Sequence, residues 1–183
     1  LGIGSGIVAD SLPVAEWQEC QLKAGFLREC DPGLQLIETL RREDGDYPRL
    51  AGHLARLHRS AAWLGFFHDE KQVRKLLAEQ PESGLWRVRL TLAKDGRLDV
   101  QSFPLGDEPA GRRQALLAPV PMGSTHPLRR HKTTDRALYD EALSVLAGDP
   151  QLFDVIFLNE RGEVAEGARS NVFVERDGVL LTP

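Results

Sequence analysis

Lys132 stands in "RRHKTTDRALYD", in a chain with only five lysines. A lysine amine forms a Schiff base with a carbonyl cofactor when its pKa is depressed. Arg129 and Arg130, with His131, push in that direction by like-charge repulsion. A solvated lysine in a basic loop is the commoner outcome for such a segment alone. Arg56 falls between Leu54 and Leu57, near the edge of an apolar helical stripe, where its fork can reach a buried anion such as a phosphate. Its bland alternative is an arginine snorkelling at a helix border. Glu166 opens "EGARSNVFV", a stretch too small and polar for a good strand, although strands flank it. A buried carboxylate beside a heteroaromatic ring can keep a ring nitrogen protonated. A capping or turn residue is the alternative, and Ser170 and Asn171 either bind a ligand or satisfy loop backbone. Arg87 and Arg89 alternate along one strand and therefore share a face able to hold a carboxylate. For Arg89 a solvated sheet face is the preferred reading.

These residues need elements to hold them. Leu50, Leu54, Leu57, Ala61 and Leu64 recur at helical spacing, which predicts an amphipathic helix from Leu50 to Leu64 carrying Arg56. A second helix is expected over Glu70 to Glu79 and a third over Asp135 to Leu146, just after Lys132. A helix is also expected over Val14 to Leu27, with Ser11 as its cap ahead of Pro13. "LQLIETL" reads as a strand. Hairpins are expected in "LWRVRLTLAKDGRLDVQSF", turning at Asp95-Gly96, in "FDVIFLNERGEVAEG", turning at 160–162, and in "NVFVERDGVLL", turning at Asp177-Gly178. Proline-rich "LAPVPMGSTHPLRRHKTT" reads as a linker. Strands and helices mix without a regular βαβ repeat, so the fold class is α+β.

The bulk composition narrows the options. With 183 residues, 42% hydrophobic and 27% charged, the chain has room for one sizeable domain or two small ones. A formal net charge of −4 argues against a general nucleic-acid binder. Arginine outnumbers lysine 18 to 5, so an anionic ligand is expected to meet local arginine forks. Cys20 and Cys30 have neither metal-like nor disulfide-framework spacing, which fits a reduced, cytoplasmic setting. The pairs His53/His58 and His126/His131 are spaced wrongly for one helical face, so no metal site is expected. No apolar run approaches membrane-spanning length. The start at Leu1 and the end at "VLLTP" are expected to be cut points in a longer protein.

Three motifs in order, "HLARLHRSA" with Arg56, "HKTTDRALYD" with Lys132 and "NERGEVAEGARSNVFV" with Glu166, resemble the class IV, or fold-type IV, pyridoxal-phosphate enzymes. The resemblance covers roughly Leu34 to Pro183, and the family includes aminotransferases for branched-chain and D-amino acids and aminodeoxychorismate lyase. It implies that Arg56 binds the cofactor phosphate, Lys132 carries the cofactor and Glu166 pairs with its pyridine nitrogen. Ser170 and Asn171 are then cofactor-binding, "EGARSN" packs its backbone on the flat cofactor, and Arg87 holds a substrate carboxylate. The implied fold is a small N-terminal domain over 31–117, a linker over 118–127, and the first part of the large cofactor-binding domain over 128–183. Leu34 departs from the aromatic residue often found on the first strand, and the family's large domain continues past "LLTP".

"GIGSGIVADSLPVAEWQECQLKAGFL" resembles the C-terminal end of a chorismate-binding domain, so 1–30 reads as a remnant of one. In that family Glu16 and Glu19 help bind Mg²⁺, but only with the whole domain present. The join resembles a bifunctional para-aminobenzoate synthase and aminodeoxychorismate lyase of folate synthesis. It implies a lyase converting 4-amino-4-deoxychorismate to 4-aminobenzoate and pyruvate, a homodimer, and a glutamine amidotransferase component as partner of the full-length protein. The rivals are a class IV aminotransferase and a non-catalytic dimerisation module.

Overall fold

The computed structural model describes residues 12–14, 16–17, 33–106, 111 and 113–183. The chain divides into two compact units, Leu1–Leu34 and Gln35–Pro183. In the first, the described residues include one helical turn, closed by the Glu16 amide donating to the Leu12 carbonyl at 3.1 Å. Most of the helix expected over Val14 to Leu27 lies outside the described residues, as do Ser11, Glu19, Cys20 and Cys30.

The second unit begins with β1 (Leu36–Glu43), α1 (Leu50–Leu64), α2 (Glu70–Ala78), β2 (Leu85–Leu92) and β3 (Leu98–Pro104). The three strands form one antiparallel sheet in the order β1-β2-β3, with Glu38 opposite Leu90 and Thr39 opposite Arg89. Alternation along the strands sends one set of side chains inward, and Leu36, Leu40, Val88, Leu90 and Leu92 are all buried. Leu54, Leu57, Ala61, Val73 and Leu77 of the two helices are buried as well, with α1 against β1 and α2 against β3. The opposite face carries Thr39, Arg87 and Arg89, which are exposed, and Ile37, which is buried.

The helix ends are set locally. Gly65, at φ 70°, takes the left-handed conformation that ends α1, and its amide donates to the Ala61 carbonyl. Asp69 caps α2 by accepting from the amides of Lys71 and Gln72. At the other end of α2, buried Arg42 donates from Nη1 to the Leu77 carbonyl at 2.9 Å and from Nε to that of Pro81 at 2.7 Å.

The second sheet has the order β4-β5-β6, built from β4 (Gln114–Leu117), β5 (Leu152–Leu158) and β6 (Val164–Gly167). β4 runs parallel to β5, whereas β6 is antiparallel to it. Residues 118–122, expected to be linker, instead continue along the edge of β5. The amides of Ala118 and Met122 donate to the carbonyls of Ile156 and Leu158 at 2.9 and 2.7 Å. Pro119 and Pro121 occupy the alternate positions, where an edge segment needs no donor. Met122 thereby joins a core with Leu146, Val155, Phe157 and Ala168, against which Tyr139, Ala142 and Leu143 of α3 (Ala137–Ser144) pack. α3 is shorter than the expected Asp135 to Leu146. After Ser144 the chain tightens into turns in which the amides of Leu146 and Ala147 bond three residues back. The last hairpin, β7 (Val174–Arg176) and β8 (Val179–Leu181), turns through Asp177 and Gly178 at φ 54° and 75°. Two successive positive angles give the turn that matches strand twist.

Candidate functional site

Lys132 is held from two sides. Its carbonyl accepts from the Ile37 amide at 2.8 Å, and the Thr134 amide donates to the Gln35 carbonyl at 2.9 Å, so the segment adds itself antiparallel to the start of β1. Beside it, His131 Nδ1 lies 3.0 Å from the Ser60 hydroxyl, and its ring stacks on Trp63 with centroids 4.7 Å apart. Ser60 and Trp63 follow Arg56 on α1 at spacings of four and seven residues, so one stripe of that helix serves both Arg56 and the Lys132 segment. Burial pushes the Lys132 amine below the ordinary lysine range, and the positive charges of Arg56 and Arg136 push it further. The neutral amine, the nucleophilic form, is thereby favoured. His131 is likewise lowered, by burial and by Arg130.

Arg56 lies half-buried at the border of the core stripe of α1, and its guanidinium is already engaged. Nε donates to Glu38 Oε1 at 2.8 Å and Nη2 to Oε2 at 2.5 Å. His53 Nδ1 lies 2.7 Å from the same Oε2. Glu38 is only 2% exposed. Burial would raise its pKa, but the hydrogen bonds from Arg56 and His53 outweigh burial and hold it below the usual range. Glu38 in turn raises the pKa of Arg56.

Glu166 lies on β6, opposite Phe157 of β5. Its Oε1 accepts from the Tyr139 hydroxyl at 2.7 Å, and that hydroxyl accepts from Arg129 Nη1 at 3.1 Å. Burial and the Glu166 carboxylate both push the Tyr139 phenol up, so it stays a donor. Arg136 covers the Tyr139 ring at 4.7 Å and donates to the Ala168 carbonyl at 2.6 Å. After Glu166 the polar residues are organised by Asp154, which is 1% exposed. Its carboxylate accepts from the amides of Val155, Arg169 and Ser170 at 2.8, 3.2 and 2.9 Å, and from the Ser170 hydroxyl. The loop packs so closely that a Cβ on Gly167 would lie 2.6 Å from the Ser170 carbonyl oxygen and 2.7 Å from Asp154 Oδ2.

A cavity of about 720 Å³ brings the sequence-derived candidates together. Arg56, Lys132, Glu166, Ser170, Asn171 and Arg87 all line it. Arg87 lies over the Phe103 ring at 5.0 Å. Ser170 presents a wall, because its amide and hydroxyl are both spent on Asp154. Arg89, read from the sequence as a solvated position, lines the same cavity beside Arg87. Glu16, the described member of the Glu16/Glu19 pair, belongs to the other compact unit. Among the described residues no cluster of histidine, cysteine and carboxylate side chains suits a metal ion. Glu38, Tyr139, Arg136 and Asp154 were not found from the sequence. Glu38 did carry a signal, since it occupies a strand position in phase with Leu36 and Leu40, where burial was due.

Residues 35–183 match the family of class IV amino-transferases. Among solved structures, a proposed amino-acid aminotransferase from Mesorhizobium loti is 38% identical with a TM-score of 0.73, the match covering 82% of this chain and 74% of that one. A proposed 4-amino-4-deoxychorismate lyase is 29% identical with a TM-score of 0.67, covering 95% and 68% respectively. A hypothetical aminotransferase from Mycobacterium tuberculosis, solved with α-ketoglutarate and PMP bound, shares the fold at 23% identity and a TM-score of 0.64. The match covers 81% of this chain and 60% of that one. No curated protein matches the chain.

Proposed function

The chain belongs to the class IV amino-transferase family of pyridoxal-phosphate-dependent enzymes, and on that premise we propose that it binds pyridoxal 5′-phosphate and serves as a 4-amino-4-deoxychorismate lyase, releasing 4-aminobenzoate and pyruvate. The observation that carries this reading is one cavity uniting half-buried Lys132 with Arg56, Glu166 and Arg87. The donor set suits the cofactor. Lys132 offers an amine with a lowered pKa. Arg56 has Nη1 unspent by Glu38, and Glu166 has one carboxylate oxygen beyond the one Tyr139 uses. When bound, the cofactor supplies an electron sink for charge developing next to the substrate nitrogen.

The protein's own groups then have distinct tasks. Lys132 would hold the cofactor and, when free, would serve as base toward the ring carbon bearing the substrate nitrogen. Glu166 holds a proton on the pyridine nitrogen, and Tyr139 fixes the carboxylate that does so. Arg56 binds the phosphate, and Arg87 binds a substrate carboxylate. Removal of the ring proton and cleavage of the ring C–O bond would release the enolpyruvyl group, which gains a proton to become pyruvate, and formation of the aromatic ring would drive the reaction. The likeness of 1–30 to the end of a chorismate-binding domain supports the lyase, since a chorismate-using neighbour would supply this substrate. A homodimer, the amidotransferase partner, a role in folate synthesis and a cytoplasmic setting belong to the same proposal.

The 38% identity to a proposed amino-acid aminotransferase favours a second reading, transfer of an amino group to a keto acid. One experiment separates the two. Given 4-amino-4-deoxychorismate and no keto acid, the lyase forms pyruvate and 4-aminobenzoate in equal amounts. No turnover until a keto acid is added would reject the lyase.

A further inference from the structure

Glu38 is a buried ionic group in the second unit that the proposed chemistry does not use. It sits on the helix-covered face of β1, 2% exposed, between Leu36 and Leu40 in the strand's alternation. A carboxylate there loses its hydration and persists only if ionic partners replace it. Its partners are specific. Arg56 meets it through Nε and Nη2 at 2.8 and 2.5 Å, and His53 closes on the same oxygen at 2.7 Å. Arg56 itself is not buried with it: its side chain remains 41% exposed and lines the cavity. One end of this pair is therefore anchored in the core and the other presents itself to the ligand.

We propose that Glu38 is a positioning residue, which locks the Nε/Nη2 edge of Arg56 so that the remaining guanidinium donors are held ready for a phosphate-bearing ligand. The proposal rests on the reading of Arg56 as the phosphate-binding arginine. An exposed arginine has many rotamers, and a ligand that must order it loses affinity; a fork already fixed by a buried carboxylate avoids that loss. An opposing effect has to be weighed. The Glu38 charge also repels a phosphate, so removing it could tighten binding. The cavity already carries Arg87, Arg89 and Arg136 besides Lys132, so positive charge is not scarce there. Orientation of this one fork is the scarcer quantity, and it should decide the sign.

The test compares pyridoxal 5′-phosphate with pyridoxal, which lacks the phosphate, by fluorescence titration of the protein. Glu38→Gln keeps the volume but turns an amide N–H₂ toward the guanidinium, breaking the two-point contact. Pyridoxal 5′-phosphate binding should weaken about tenfold or more, as loss of a supporting residue commonly does, with pyridoxal binding unchanged. Glu38→Asp, which keeps the charge but withdraws the carboxylate, should behave alike and serves if Glu38→Gln does not fold. In an Arg56→Lys background the Glu38 substitution should cost nothing further, because the fork it held is gone. Equal weakening for both ligands would mark Glu38 as merely structural, tighter binding of the phosphate would mark it as a counter-charge, and additive losses would disconnect it from Arg56. Each of these overturns the proposal. If the unaltered protein shows no preference for the phosphorylated ligand, the reading of Arg56 fails and the proposal falls with it.

Discussion

Lys132 differs in its surroundings from the other described lysines, Lys71, Lys75 and Lys94, which are exposed, and its reactivity with pH should show it. Burial, Arg56 and Arg136 all disfavour the charged amine, lowering its pKa from the ordinary 10.5. The neutral, reactive form is therefore populated at lower pH than on an exposed lysine, and reactivity is lost as pH falls through the lowered value. Borohydride trapping of pyridoxal 5′-phosphate across a pH series should label Lys132 first as pH is raised, ahead of any other lysine of the chain. Arg136→Ala removes one of the repelling cations, so the onset of labelling should move to higher pH. A label that maps to another lysine, or an onset unmoved by that substitution, would show that the amine is not tuned in this way. The same environment explains why Lys132 could be suspected from "RRHKTT" but not decided. The flanking Arg129 and Arg130, expected to lower its pKa, are not among the charges that do so; burial, Arg56 from another element and Arg136 four residues on take that part.

At the scale of elements, what the sequence revealed depended on whether the signal was local. α1 runs from Leu50 to Leu64 as its apolar spacing predicts, and the Asp-Gly turns fall at Asp95-Gly96 and Asp177-Gly178 as expected. Those features rest on neighbours in the chain. The short β4 and the strand-like edge at 118–122 were illegible because their partner, β5, lies more than thirty residues away and prolines masked the pattern. Asp154 was hidden for a related reason, as one carboxylate within the apolar run "LFDVIFL" whose purpose appears only when 169–170 fold over it. That fold-over gives a test of the loop bearing Glu166. In Gly167→Ala the new methyl group would meet a backbone carbonyl and the buried Asp154 carboxylate, neither of which can swing aside as a flexible side chain would. The cost should be about 1–3 kcal/mol, as for overpacking generally. It should be read as a lower urea midpoint with an unchanged slope. Ser170→Ala, which removes the hydroxyl donating to Asp154 but leaves the amide that also donates there and adds no bulk, should be milder. A Gly167→Ala protein as stable as the original would mean that the loop has room the structure does not show.

For the molecule as a whole, two distributions matter: where the site residues lie and where the charge lies. Every residue assigned to the cofactor falls within Gln35–Pro183, the unit that also matches the family. Removing 1–34 should therefore leave cofactor binding within about twofold, and a loss of tenfold with the remainder folded would place part of the site in the removed segment. Charge is distributed less evenly. The chain has 23 basic and 27 acidic residues, so at long range it repels anions. Yet the described lining of the cavity holds seven arginines and Lys132 against Asp135 and Glu166. Some of those cations are paired elsewhere, Arg56 with Glu38 and Arg136 with Asp140 at 3.9 Å, but Arg87 and Arg89 have no acidic partner among the described residues. A concave, cation-lined site focuses its field locally even when net charge has the opposite sign. Salt shortens that field from a reach of about 10 Å at 0.1 M to about 3 Å at 1 M. Pyridoxal 5′-phosphate binding should accordingly weaken several-fold over that range, while pyridoxal, without the phosphate, should change little. Arg87→Gln and Arg89→Gln should each flatten the salt dependence without abolishing binding, since neither is the proposed phosphate ligand. Binding of the phosphate form that ignores salt would show that the field is already neutralised inside the cavity, leaving recognition to direct contact with Arg56 alone.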